Sequence, residues 1–156
     1  MAKSGEATAI FMMQITQIMK IATLELQKLS GDDLLSSAET SIIMCLATTE
    51  ADMASQIARY TGVSRSLMSK AVDNLVGNGW IETKRDEGDR RVVHLCLLPK
   101  AEPAAAHCCD LCERFFAAMT SDLCPEDVDV FMRVVEQCAN NIKQFISDET
   151  ERAKTK

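Results

Sequence analysis

The sequence predicts a mainly α-helical protein with one two-stranded β hairpin. Only six Gly and three Pro residues interrupt its 156 residues, so long helices can form without internal breaks. Apolar residues recur every three or four positions along most of the chain, which is the spacing of amphipathic helices. Between residues 80 and 98 they recur at every second position, which is typical of strands with one buried face.

Short polar signals divide the N-terminal half into four predicted helices. Ser36-x-x-Glu39 has the form of a capping box, in which two side chains and two backbone N–H groups pair at the start of a helix. Asp52 and Ser64 are also favourable N-cap residues. The four helices are expected at Ser4 to Leu29 (ended by Gly31-Asp32-Asp33), Ser36 to about Thr49, about Asp52 to Tyr60, and from Ser64 to the Asn78-Gly79 pair.

The predicted hairpin and two further helices complete the chain. The strands, Trp80 to Arg85 and Arg91 to Leu98, flank the turn cluster Asp86-Glu87-Gly88-Asp89. Prolines suit the first turn of a helix, whereas a polar and charged terminus is expected to fray. The two helices are expected at Pro103 to about Thr120 and at Pro125 to about Ile146, and the fraying terminus at residues 147–156.

The distribution of charge is more informative than its sum. Because 17 Lys and Arg residues face 23 Asp and Glu residues, the formal net charge is −6, which taken alone argues against a nucleic-acid partner. Between Met53 and Cys96, however, there are seven basic and five acidic residues, so this window carries +2 and the rest of the chain −8. The acidity therefore lies outside the segment that contains the short helices and the hairpin.

A short helix, a Gly-containing turn, an amphipathic helix and a hairpin, in that order, describe a winged helix-turn-helix. A helix fits the major groove of B-DNA, and a hairpin tip can place arginines in an adjacent, narrow minor groove. The predicted DNA contacts of the recognition helix are Ser64, Arg65, Ser66, Ser69 and Lys70, and those of the wing are Lys84, Arg85, Arg90 and Arg91.

Two motifs resemble the MarR-type family of winged-helix transcriptional regulators. They are Leu75-Val76-Gly77-Asn78-Gly79-Trp80-Ile81-Glu82 and, seven residues later, Asp89-Arg90-Arg91. The order of elements is also similar, with one long helix before the winged segment and two after it. The resemblance implies that Arg91 enters the minor groove and that Asp89 orients it. It further implies a homodimer with interdigitating terminal helices, a pseudo-palindromic operator on double-stranded DNA, and release by a small aromatic molecule or by cysteine oxidation.

The chain is accordingly predicted to be a homodimeric transcriptional repressor. Its three long helices carry more apolar surface than one small winged segment can cover, so we expect a second copy to bury it. The expected segments are an N-terminal dimerisation helix (1–35), the winged helix-turn-helix (36–99), and C-terminal dimerisation helices with a charged tail (100–156).

The tract His107-Cys108-Cys109-x-x-Cys112 leaves a second interpretation open. Cys108 and Cys112 share one face of a helix, and thiolates with imidazole suit zinc or copper(I). A metal- or thiol-redox-responsive regulator of the same architecture, using His107, Cys108 and Cys112, is therefore an alternative. Isolated cysteines also pack as small hydrophobic residues, which favours a plain dimer core here. A winged helix that binds only proteins is the third alternative.

Catalysis and membrane association are not predicted. The sequence contains no Gly-rich phosphate loop, paired-carboxylate constellation or strong zinc-ligand spacing, so we expect neither enzymatic activity nor a cofactor. His94 is expected at the surface, where it would contact solvent or phosphate. No stretch is expected to match the ~20 apolar residues of a membrane helix, and the run Ala9 to Met13 is too short for a signal peptide. With an odd number of cysteines, seven, these features predict a cytoplasmic protein.

Overall fold

A computed structural model describes residues 2–31 and 34–154 of the chain. The helices are α1 (Ala2–Leu29), α2 (Ser37–Thr48), α3 (Ala54–Thr61), α4 (Arg65–Gly77), α5 (Glu102–Thr120) and α6 (Pro125–Lys154); the strands are β1 (Ile81–Arg85) and β2 (Val93–Leu97); and a 3-10 turn, Pro99–Ala101, precedes α5. The predicted fold class, a helical protein with a two-stranded wing, is confirmed.

The chain divides into two compact units whose boundary lies within α5, after Arg114. In the first unit, α2 contacts α1, α3, α4 and β2, and thus lies at the centre of the winged segment. Complete burial of an aliphatic side chain stabilises a fold by about 1.5–3 kcal/mol, so a small set of such residues holds these elements together. The largest fully buried side chains are Leu26, Ile42, Ile43, Ile57, Leu75, Ile81, Thr40 and Cys108.

The wing is anchored at its base and at Leu95 in the middle of β2, which is also buried. The two strands are antiparallel and extend from the pair Ile81–Leu97 to the pair Arg85–Val93. Trp80 and Ile81 are buried at the base, and Gly79 permits the turn before them because its φ is +71°. The exposed end of the hairpin therefore projects from a fixed, apolar foundation.

The start of α3 differs from the prediction. Asp52 does not cap this helix, because Met53 occupies the N-cap position and α3 begins at Ala54. Gln56 instead satisfies the free amides, since its Oε1 accepts hydrogen bonds from the N–H groups of Asp52 and Met53 at 3.1 and 3.2 Å. The carboxylate of Asp52 is thereby left to contact the wing.

The end of the C-terminal helix also differs from expectation. The terminal segment was expected to fray, but α6 continues through Lys154, so this prediction is wrong for residues 147–154; residues 155 and 156 lie outside the described part. Side-chain pairs across one turn stabilise the extension, between Gln144 and Asp148 and between Arg152 and Glu149. Helix α1 ends at Leu29 as predicted, and Gly31 of the predicted Gly31-Asp32-Asp33 stop has a φ of +59°. Asp32 and Asp33 lie outside the described residues.

Helix α1 is more apolar than the sequence analysis allowed. From Gly5 to Leu29 it is long and apolar enough to cross a membrane by length and composition, with a mean hydropathy of 1.3. The expectation that no stretch meets this criterion is therefore wrong. Only 6% of the most apolar window is buried within this single chain, so most of the apolar surface of α1 remains uncovered.

The predicted capping box forms and also positions the next helix but one. The Ser36 hydroxyl accepts a hydrogen bond from the Glu39 N–H, and Glu39 Oε2 accepts one from the Ser36 N–H at 2.6 Å. Glu39 Oε1 accepts a third from Asn74 Nδ2 on α4, at 3.0 Å. Burial alone would raise the pKa of Glu39, but the hydrogen bonds from Ser36 and Asn74 and the charge of Lys70 outweigh it, so its pKa is lowered.

We predict that Glu39 contributes to the acid sensitivity of the fold. Its pKa in the folded chain lies below the ordinary value of 4.5, so its stabilising contribution is present at neutral pH and is lost as the pH falls through that lowered pKa. Urea unfolding at about pH 7 and about pH 3.5 should show a smaller acid loss of unfolding free energy for Glu39→Gln than for the wild type. Glu113→Gln, at an exposed position on α5, is the control, and an equal loss in wild type and Glu39→Gln would contradict the prediction.

Candidate nucleic-acid interface

Helix α4 begins with a local arrangement that exposes its first turn. Gly62 ends α3 with a φ of +70°, a left-handed conformation that glycine adopts without strain. Ser64 then caps α4, because its Oγ accepts a hydrogen bond from the Leu67 N–H at 3.4 Å. The Ser64 and Ser66 hydroxyls lie 3.3 Å apart. The turn between the helices is therefore short, and the start of α4 is free of overlying chain among the described residues.

The two faces of α4 have opposite chemical character. Met68, Ala71 and Leu75 are buried in the core of the first unit. The opposite face carries hydroxyl and cationic side chains, which can bind base edges or phosphates. The five residues that the sequence predicts as DNA contacts are all exposed there, namely Ser64, Arg65, Ser66, Ser69 and Lys70.

A polar and a cation–π contact hold the C-terminal end of α4 against the wing. Lys100, which the sequence analysis did not select, donates a hydrogen bond from Nζ to the Asn78 carbonyl at 2.9 Å. The same ammonium group lies 5.3 Å from the centre of the Trp80 ring, within the range of a cation–π interaction. The end of the recognition helix and the base of the wing are thus joined by one side chain.

The predicted basic residues of the wing are exposed. Lys84 and Arg85 lie at the distal end of β1, and Arg90 and Arg91 lie in the turn. Lys84 Nζ is 2.7 Å from Glu82 Oε1, and the hydrogen bond from this ammonium to Glu82 raises the pKa of Lys84. An exposed pair of this kind stabilises a protein only slightly, so Lys84 can exchange the carboxylate for a phosphate at low cost.

Two carboxylates shape the turn that presents the wing arginines. Asp86 Oδ1 accepts hydrogen bonds from the N–H groups of Gly88 and Asp89, each at 2.8 Å. Asp89 Oδ1 in turn accepts from the Arg91 N–H at 2.9 Å. The Asp89 carboxylate therefore contacts the backbone of Arg91, not its guanidinium group. The backbone hydrogen bonds from Asp89 and Gly88 are the first causes that lower the pKa of Asp86.

His94 contacts two carboxylates, whereas the sequence predicted a surface or phosphate-contacting residue. It is partly buried, with 29% of its side chain exposed, and its Nδ1 lies 2.7 Å from Asp52 Oδ2. Its Nε2 lies 3.3 Å from Asp86 Oδ2 in the wing turn. The hydrogen bond with Asp52, followed by that with Asp86, raises the pKa of His94. Asp52 and His94 are 42 residues apart in the sequence. A second contact joins the same segments, since the Leu95 N–H donates a hydrogen bond to the Asp52 carbonyl at 2.6 Å.

The residues of the alternative metal or thiol site lie near one another but differ in burial and in their other contacts. His107 Nε2 lies 2.8 Å from Glu25 Oε2 on α1. Cys108 is buried in the core, and this burial is the first cause that raises its pKa to about 12. Cys112 is exposed, although partial desolvation and Cys109 raise its pKa as well. Within residues 2–31 and 34–154, no group of three or more His, Cys, Asp or Glu side chains is arranged to hold a metal ion.

The chain is similar to known regulators in both sequence and fold. The MarR family model matches residues 35–93, which include α2 to the start of β2. The transcriptional regulator AdcR of Streptococcus pneumoniae is 35% identical over 71 residues, which are 46% of this chain and 48% of that protein. The chain thus spans about half the length of the curated relative that it matches.

Solved structures extend the likeness of fold to most of the chain. A MarR-family protein from Listeria monocytogenes, in complex with 26mer DNA, superposes with a TM-score of 0.69 at 14% identity, over 88% of this chain and 89% of that one. A MarR protein from Peptoclostridium difficile gives a TM-score of 0.65 at 14% identity, over 88% of both chains. Residues 35–93 thus match the MarR family model, and most of the chain shares its architecture with solved MarR-family proteins.

Proposed function

We propose that this protein is a sequence-specific regulator of transcription that binds double-stranded DNA as a homodimer and acts as a repressor. The observation that carries the proposal is the polar, cationic face of α4 beside a wing whose arginines are exposed. A helix and a hairpin in this order suit the major groove and the neighbouring minor groove. The protein from Listeria monocytogenes that was determined in complex with 26mer DNA, and whose fold this chain shares, supports binding to DNA.

The contacts divide into two chemical classes. Arg65 and Lys70 have the reach and charge to bind guanine edges or phosphates, while the serine hydroxyls of α4 suit close approach to the backbone. Arg91 is assigned to the minor groove, whose negative potential is strongest where A·T tracts narrow it. Lys84 and Arg85, at the end of β1, are assigned to phosphates. The base contacts specify the sequence, and the phosphate contacts set register and salt dependence.

A second copy of the chain is the partner that best fits the uncovered apolar surface. Within the first unit, α1 exposes large apolar side chains along its length: Ile10, Phe11, Met12, Met13, Met19, Ile21, Leu24 and Leu29. A monomer rarely leaves an apolar surface of this extent in water. Two identical copies would bury it symmetrically, and two winged segments would then read the two halves of a pseudo-palindromic operator.

Helix α6, within the second unit, carries a pattern that supports the same partner. Apolar residues alternate at spacings of three and four, which is the heptad spacing of a helix that packs against another helix. Three of them, Val135, Ile142 and Phe145, are 41%, 57% and 65% exposed. The full series is Val128, Phe131, Val135, Cys138, Ile142 and Phe145.

Regulation and location follow from the same proposal. We assign release from DNA to a small aromatic molecule that binds one dimer geometry better than the other, because only differential affinity can shift such an equilibrium. The protein would act without enzymatic chemistry, in the cytoplasm where its operator lies. Two alternatives remain as outcomes of the experiments below. In the first, a metal or an oxidant acts at His107, Cys108 and Cys112; in the second, the winged helix binds proteins and not DNA.

We predict that Lys70→Ala and Arg91→Ala weaken binding to DNA fragments selected from the genome of the source organism. Loss of a base contact should cost about 1–3 kcal/mol and relax the sequence preference, whereas loss of a phosphate contact should mainly reduce the dependence on salt. Binding isotherms at several salt concentrations would separate the two effects. Arg114→Ala removes an exposed cation on α5 and is the control for net charge.

The same assay distinguishes the alternatives. If neither variant weakens binding, the assigned reading surface is wrong. If the wild type binds no fragment even at low salt, the interaction-module alternative is favoured. Metal analysis and titration of thiols before and after peroxide treatment, with DNA binding measured in parallel, would identify a metal- or redox-responsive regulator.

We predict that Ile142→Asp shifts the protein from dimer to monomer, since it places a charge in the apolar series of α6. Sedimentation equilibrium over a range of concentrations would measure the change in dimer dissociation. Asn140→Asp introduces the same charge outside the series, at an exposed position of the helix, and should leave the dimer intact. Flotation with phospholipid vesicles tests whether a lipid surface, and not a second copy, covers the apolar surfaces of α1 and α6. A monomer that binds vesicles would overturn the proposed dimer.

A further inference from the structure

One titratable side chain on the wing contacts both the α2–α3 loop and the wing turn. His94 lies on β2, and its two ring nitrogens face carboxylates from two different elements. Asp52 belongs to the loop between α2 and α3, and Asp86 belongs to the wing turn. A single imidazole therefore bridges the α2–α3 loop and the turn that carries Arg90 and Arg91.

Two carboxylates at the ring favour its doubly protonated state. A neutral imidazole has one N–H and one lone pair, so it can donate to only one of the two carboxylates. Its lone pair would then face the oxygen of the other at close range, which is electrostatically unfavourable. An imidazolium ring donates to both at once. The distances of 2.7 Å to Asp52 and 3.3 Å to Asp86 indicate that Asp86 is the partner lost on deprotonation.

The other charged groups around the ring do not oppose this state. Lys84 is directly opposite His94 on β1, but its ammonium contacts Glu82. Residues two apart on a strand share a face, so Glu82 and Cys96 lie on the same side of the hairpin as His94. The titratable and charged groups that face the ring are therefore Asp52 from the α2–α3 loop, Asp86 from the wing turn, Lys84 and Glu82 from β1, and Cys96 from β2.

We propose that His94 is a positioning residue, which in its doubly protonated form holds the wing turn and the α2–α3 loop in the DNA-binding arrangement, so that affinity for the operator falls as the pH rises. This inference rests on the proposed function. Asp86 transmits the effect, because its other oxygen accepts from the amides of Gly88 and Asp89. The loss of its contact with His94 frees the carboxylate that shapes the turn before Arg90 and Arg91.

The direction of the pH effect follows from linkage. The contacts of His94 raise its pKa in the folded chain, so they are present below that pKa and are lost as the pH rises through it. Nearby phosphates of bound DNA favour the protonated ring further. Affinity should therefore fall by up to roughly tenfold for each unit by which the pKa of His94 in the complex exceeds that in the free protein.

Asp86→Asn is the variant that tests the proposal most directly. The amide oxygen of asparagine can keep the hydrogen bonds from Gly88 and Asp89, while its NH₂ group can donate to the lone pair of a neutral imidazole. The bridge then no longer needs the second proton. Dissociation constants for a selected DNA fragment, measured at about pH 6 and about pH 8.5 at constant ionic strength, should change several-fold for the wild type and by less than about twofold for Asp86→Asn.

Two histidine variants complete the comparison. His94→Gln cannot ionise, so its affinity should be weaker at low pH and nearly independent of pH. His107→Gln removes the other histidine, since the chain contains two, and should retain the pH dependence of the wild type. If Asp86→Asn and His94→Gln show the same pH dependence as the wild type, the proposal is overturned.

A measurement without DNA separates this inference from the proposed function. With two histidines in the chain, NMR can follow the titration of each ring, and the Gly88 amide reports on its hydrogen bond to Asp86. The Gly88 resonance should move with the titration of His94 in the wild type but not in His94→Gln. An unmoved Gly88 resonance overturns the positioning role even if DNA binds. A wild type that binds no DNA while Gly88 follows His94 overturns the proposed function and leaves the bridge established.

Discussion

The structure depends on one constraint, which is that α4 must bury one face firmly while it leaves the other bare. The buried face is held by Met68, Ala71 and Leu75 in the core. Polar contacts then fix the helix along its axis, with Glu39 bound to Asn74 and Lys100 bound to the carbonyl of Asn78. Among the predicted DNA contacts of α4, Ser64 also caps the helix and the charge of Lys70 acts on Glu39. The Glu39–Asn74 and Lys100–Asn78 contacts leave the exposed serine and cationic side chains uncovered.

The wing follows the opposite principle. Its base is apolar and buried, but its distal half has little core, since Val93 is 39% exposed and Lys84 and Arg85 are exposed. Hydrogen bonds to carboxylates replace packing there, within the turn and between His94 and the α2–α3 loop. Such hydrogen bonds are directional and depend on the ionisation of the carboxylate or imidazole, whereas apolar packing is non-directional and independent of ionisation. The wing is thus the part of the winged segment whose position responds most readily to protons.

Local signals predicted much of the fold, and long-range contacts explain why the partners of His94 and Lys100 were not predicted. The capping box of Ser36 and Glu39 and the N-cap Ser64 were predicted because each involves residues three apart, and the structure contains both. Asp52 has the chemistry of an N-cap, yet Gln56 satisfies the free amides. The carboxylate of Asp52 then contacts His94, 42 residues away, and no periodicity in one sequence encodes that partner. Lys100 was missed for the same reason, since its partner Asn78 lies 22 residues away in the sequence.

The cysteines show why a tract of metal- or redox-competent residues need not form a reactive site. Thiol reactivity depends on the thiolate fraction, and a pKa of about 12 keeps Cys108 protonated at neutral pH. Cys109 donates its thiol proton to the Ala47 carbonyl at 3.3 Å, and His107 faces Glu25. Helical spacing placed these side chains close together on α5, but His107 contacts Glu25 of α1 and Cys109 contacts Ala47 of α2. Burial of Cys108 beside Cys112, Cys109 and Cys45 raises its pKa, so proximity alone does not make the thiols reactive.

The uneven charge gives the proposed regulator its selectivity. A window of +2 within a chain of −6 means that few cations meet the DNA, while the acidic remainder repels it. Affinity for random DNA grows with the number of neutralised phosphates, so this distribution keeps non-specific binding weak. Discrimination between sequences must then come from the few side chains on α4 and at the wing tip, and from how accurately the fold places them. In such a protein, a small displacement of the wing has a large effect on occupancy, because no surplus of phosphate contacts compensates for it.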